Sequence, residues 1–129
     1  MKAFNLGLYG LFGGGAVLAG LAAVAAPRLV LGPDLSPIAA HLLQEEGATF
    51  VFVGMMLLWC LRNYERRRPV HLAVVVLTAL FAVIHWAGYF RQPSSVVPGL
   101  VNAVPFALFA ITAPFRERGN LSRVPAVSA

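Results

Sequence analysis

Residues 37–61 read PIAAHLLQEEGATFVFVGMMLLWCL, and this stretch decides how the chain is read. From Gly47 to Leu61 no residue is charged. Those residues alone cover about 22 Å as a helix, short of the roughly 30 Å hydrocarbon core of a bilayer. Extending the helix back to Pro37 makes up the length and draws Glu45 and Glu46 inside the span. An ionisable group at such depth is costly and is usually retained for a partner, a proton or a ligand.

Outward from this stretch the pattern repeats. Arg62 to Arg68 is a short basic connection, and Pro69 opens a third apolar run that ends near Phe90. Arg91-Gln92-Pro93-Ser94-Ser95 is a tight loop before a run from about Val96 to Phe115. Upstream, Leu6 to Ala26 is apolar and ends at Pro27; Gly32-Pro33-Asp34 then turns the chain, and Ser36-Pro37 has the form of an N-cap with proline in the first helical turn. The spacing predicts helices over about 6–26, 37–61, 69–90 and 96–115. Together they form one all-α, four-helix transmembrane domain over 1–118, with a polar tail over 119–129. Ala23-Val24-Ala25 has the form of a signal-peptidase site, but the preceding run is longer than a typical h-region and Pro27 follows directly; it reads as a first membrane helix.

Composition agrees. Apolar residues make up 59% of the 129-residue chain and charged residues 12%, about half the usual quarter. The net charge of +5 does not point to nucleic acid, because the basic residues lie between and beyond the apolar blocks. With four spans, Lys2, Arg62, Arg66, Arg67, Arg68, Arg116, Arg118 and Arg123 share one side, leaving only Arg28 and Arg91 on the other. By the positive-inside rule both termini face the cytoplasm, and the expected location is a bacterial cytoplasmic membrane. Arg66, Arg67 and Arg68 are also candidates for binding anionic lipid. The single cysteine, Cys60, excludes an intrachain disulfide and reads as a small apolar residue near the end of a span.

The first span is rich in small residues, with Gly10 and Gly14 forming a GxxxG step; Gly47 and Gly54, seven apart, make a small surface on the second. Small residues let helix backbones approach closely, either within the chain or against another subunit or copy.

The polar residues gather at one depth. Glu45 and Glu46 lie about 12–14 Å from the Pro37 end of their helix, His85 about 8 Å from the end near Phe90, and Asn102 about 9 Å into the last span. His41 and Tyr89 fall in the same layer, opposite the basic side. His41 and Glu45 share a face at i, i+4, whereas Glu46 is turned about 100° away, so the two carboxylates are not a dyad. Pro105 leaves the carbonyl near Val101 without its usual donor, with Asn102 beside it. Two readings stay open: a polar pocket in which Glu45 and His85 share a proton, or hydrated acids at the interface that favour the helix N-terminus. His85, with His41, has the residue type to ligate a haem or chlorin. The Glu-x-x-His pairs of di-iron bundles are missing, and no metal site is expected.

The layout resembles the DoxX-like group of small bacterial four-helix membrane proteins. The resemblance is carried by the glycine-rich first helix running into Ala26-Pro27-Arg28 and Gly32-Pro33, by Glu46-Gly47 and Gly54, and by the basic loop before the third helix. It covers most of the chain as topology. Members often carry arginine beside the second-helix glycine, where this chain has Glu46, so the resemblance implies the fold and transfers no functional residue.

The reading that fits best is a non-catalytic subunit packed by lipids and other membrane subunits, or by copies of itself, in a larger assembly, with bioenergetic and electron-transport complexes the natural class. The alternatives are a redox or cofactor-binding protein using His85 and His41, and a proton-coupled transporter using Glu45 and Glu46, which resembles the small multidrug group in size. An enzyme with a Glu/His acid–base pair comes last.

Overall fold

The computed structural model describes residues 2–62, 64–93 and 95–121. Among these the chain is all-helical: α1 (Lys2–Ala25), α2 (Pro27–Leu31), α3 (Pro37–Arg62), a 3-10 turn (Tyr64–Arg67), α4 (Arg68–Arg91) and α5 (Val97–Leu121). Four of them, α1, α3, α4 and α5, are long and apolar enough to cross a membrane. The chain divides into two compact units, residues 2–63 and residues 64–129.

In the first unit α1 and α3 pair antiparallel, joined by α2. Pro27 sets the break, because a residue before proline is pushed out of helical geometry; Ala26 sits at φ −145°, ψ 61°. α2 ends at Gly32, whose φ of +110° lies in the left-handed region and whose N–H donates to the Arg28 carbonyl at 2.9 Å. α3 starts as the Ser36-Pro37 spacing predicts, with the Ala39 N–H donating to Ser36 Oγ at 3.2 Å. The helix interface is made by backbone. A Cβ placed on Gly54 lies 2.6 Å from the Gly13 carbonyl oxygen, and one on Gly47 lies 2.8 Å from both the Gly20 oxygen and Ala23 Cβ. A Cβ on Gly20 would collide with the Gly47 oxygen. The two glycines on each helix are seven residues apart, two turns, so they recur on one face and meet pairwise.

In the second unit α4 and α5 form another antiparallel pair. The ring of Trp86 lies across Gly99, where an added Cβ would come within 3.1 Å of it. α5 runs unbroken through Pro105 and Pro114 as far as Leu121. Residues 119–121, read from sequence as the start of the tail, therefore belong to the helix: Arg116, Glu117 and Arg118 are good helix formers and carry it past Gly119. The rest of the expected tail, 122–129 with Arg123, lies outside the described residues. The two short helices, α2 and the 3-10 turn, fall where the sequence suggests only connections.

Candidate functional site

The acidic end of α3 is open. His41 Nε2 lies 3.3 Å from Glu45 Oε1, the i, i+4 pairing that helical geometry imposes, with the side chains 71% and 64% exposed. So exposed a pair contributes at most about 1 kcal/mol. Glu46 is exposed as well, around the helix from Glu45. The inward polar contact at this end belongs to Gln44, whose Nε2 donates to the Val24 carbonyl at 3.0 Å. That carbonyl is one of the last four of α1, which have no donor within the helix. Gln44 thus ties α3 to the frayed end of α1. Thr49 Oγ1 donates back to the Glu45 carbonyl at 3.1 Å.

The other residues of the expected polar layer are on the second unit, and their hydrogen bonds are local. His85 Nδ1 donates to the Phe81 carbonyl at 2.9 Å and Asn102 Nδ2 to the Pro98 carbonyl at 2.8 Å, each one turn back on its own helix. Asn102 therefore turns to Pro98 and away from the Val101 carbonyl that Pro105 leaves without a donor. The bond to Phe81 fixes Nδ1 as the donor, and His85 Nε2 is the ring nitrogen a ligand would use. His41 and Glu45 lie on the first unit and His85 on the second; among the described residues no three His, Cys, Asp or Glu side chains group to hold a metal. Tyr89 stands in an aromatic cluster, edge-to-face with Trp86 at 5.8 Å and with Phe90 at 5.7 Å.

One fully enclosed polar group is one that sequence reasoning passed over. His71, near the start of α4, is fully buried, and its Nε2 donates to the Phe109 carbonyl of α5 at 2.9 Å. The His71 and Phe109 rings meet edge-to-face at 5.7 Å. Thr112 Oγ1 adds bonds to the carbonyls of Leu108 at 3.0 Å and Phe109 at 3.1 Å. Pro114 leaves the carbonyl of Ala110 without its helical donor, one residue beyond the Phe109 carbonyl that His71 serves. A histidine two residues after Pro69, facing a helix with threonine and proline near its end, is the signal that the sequence offered.

Glycine lies on two tracks of α1. Gly13 and Gly20 are covered by α3. Gly7, Gly10 and Gly14 fall on a second track about 100° around the helix, and a Cβ on any of them meets no heavy atom within 4 Å. The close contact within the chain thus runs between Gly13 and Gly20 of α1 and Gly47 and Gly54 of α3, and Gly10 and Gly14 lie outside it. Of the basic residues after α3, Arg66 is exposed, whereas Arg67 and Arg68 are half-buried.

No protein-family model, curated protein or solved structure matches this chain.

Proposed function

We propose that the chain is an integral membrane protein of four spans that works as a small non-catalytic subunit, joining a larger membrane assembly through α1. The observation that carries this reading is the open glycine track Gly7-Gly10-Gly14. In lipid, helices gain little from burying apolar side chains, and association rests on close backbone approach at small residues. α1 already uses one such track on α3, and the second offers the same geometry to a helix of another chain. Leu11, Leu18 and Leu21 flank that track and are exposed, so they supply the side-chain contact around a backbone-to-backbone seam. The exposed Glu45 and Glu46 fit the same role, as acids at the non-cytoplasmic end of the assembly within reach of a partner's cation or of water.

The proposed setting is a bacterial cytoplasmic membrane with both termini cytoplasmic, the orientation that the arginine and lysine bias favours. The test is purification of the tagged chain from native membranes in mild detergent. The expected result is a defined set of co-purifying membrane chains, lost in the double variant G10L/G14L while the variant still inserts and melts like the parent. A monodisperse monomer with no companion, or companions that survive the double variant, would overturn the proposal.

A further inference from the structure

A groove of about 400 Å³ runs along the last two turns of α3, lined by Met55, Met56, Leu58, Trp59 and Arg62. It lies beside the seam with α1: Leu58 Cγ comes within 3.0 Å of a Cβ placed on Gly13, so the missing side chain there makes room for this leucine. Its walls are apolar except at one end, where exposed Arg62 closes the helix. From Met55 to Arg62 is about 10 Å along the axis.

We propose that this groove binds an anionic phospholipid, with the headgroup phosphate on Arg62 and the upper part of an acyl chain along Met55, Met56, Leu58 and Trp59. The inference rests on the membrane reading above and does not depend on the subunit role. Three properties of the groove select this ligand. Its length and apolar walls match the first segment of an acyl chain, and methionine side chains adapt to a flexible one. Trp59 is 42% exposed and one turn from the basic end, the level at which indole rings favour the headgroup boundary. The single charged group is a guanidinium, which binds phosphate through paired N–H donors and is placed to reach the headgroup layer. The carboxylates of α3, Glu45 and Glu46, are about 24 Å away along the axis, while Glu65 follows Arg62 by three residues in the sequence. The guanidinium at the rim favours an anionic headgroup over a zwitterionic one, and the apolar walls favour a lipid over a soluble phosphate.

Trp59 reports on the site directly. In full-length W86F protein it is the only tryptophan, and bromine on lipid chains quenches indole fluorescence by contact. The protein is placed in phosphatidylcholine vesicles containing an equal mole fraction of either brominated phosphatidylglycerol or brominated phosphatidylcholine. The expected result is an apparent affinity about fivefold higher for phosphatidylglycerol, the worth of one basic side chain near an anionic surface. R62Q brings that ratio near one, and R28Q, altered at the far end of the unit, leaves it. High salt narrows the ratio in the parent, which keeps the test decisive if R62Q does not insert. Equal quenching by both lipids, or a preference that survives R62Q or high salt, overturns the site while leaving the membrane reading in place. Quenching by neither lipid overturns both.

Discussion

His71 is a fully buried polar side chain with a hydrogen bond between helices. Its bond to the Phe109 carbonyl and its edge contact with the Phe109 ring hold α4 to α5 at one level. Truncation by H71A removes both and leaves a cavity, for an expected loss of about 2–4 kcal/mol. H71F keeps ring volume but no donor and should fall between parent and H71A. H85A should cost under about 1 kcal/mol, because His85 bonds to a carbonyl already served by its own helix. Thermal unfolding in detergent ranks the four proteins, and an H85A protein less stable than H71A would refute the ordering. These two histidines also show what was legible in the sequence. The His41–Glu45 pair could be read from spacing, because helical period alone brings i and i+4 together. The partner of His71 is a backbone carbonyl 38 residues away on another helix. Any residue supplies a carbonyl, so nothing in the residue types marks this one; Pro114 opens the carbonyl of Ala110, the next residue along.

The elements themselves were easier to read than their registers. Four long apolar runs bounded by proline and arginine give four helices whose ends mostly lie within one residue of those observed, except that α1 starts four residues earlier and α5 ends six later. Which face of α1 meets α3 was harder, because α1 has glycine at 7, 10, 13, 14, 15 and 20, and the GxxxG step at 10 and 14 is the more familiar pattern. Gly47 and Gly54 are seven apart, and in an antiparallel pair they call for a matching interval on α1; both Gly7/Gly14 and Gly13/Gly20 offer it in the sequence, and the structure uses Gly13 and Gly20. The two tracks should therefore respond differently to bulk. G20I forces a branched side chain against the Gly47 carbonyl, and G54I does the same at Gly13; each should cost about 1–3 kcal/mol or more and separate the pair. G10I and G14I add side chains to open space and should leave the melting temperature of the isolated protein within a degree or two of the parent. Cross-linking of V24C to Q44C, residues that touch across α1 and α3 through the Gln44 hydrogen bond to the Val24 carbonyl, would follow the pairing, and cross-linking unchanged in G20I would disprove the assigned register.

At the scale of the whole molecule, charge is the property on which the proposed orientation rests. Among the described residues, exposed apolar side chains run along all four long helices, Leu18, Phe52, Val83 and Ile111 among them, and a surface of this kind requires lipid or protein cover. Under the proposed four-span topology, the positive-inside rule puts Lys2, Arg62, Arg66, Arg67 and Arg68 on the cytoplasmic side and leaves Arg28 and Arg91 on the other. Replacing a lysine or arginine inside a short loop alters orientation far more than replacing an acid, so the acidic Glu45 and Glu46 should not influence it. In a C60A background, which removes the native thiol, S36C should react with a membrane-impermeant maleimide added to intact cells. R66C should react only after the membrane is opened. E45Q/E46Q should leave both results unchanged. Changing Arg66, Arg67 and Arg68 together to glutamine should weaken the bias and yield a fraction of molecules in which the central loop is labelled from outside. The reverse pattern in the parent, R66C labelled and S36C protected, would invert the chain in the membrane, move the acidic end of α3 to the cytoplasm, and place the Arg62 groove in the opposite leaflet.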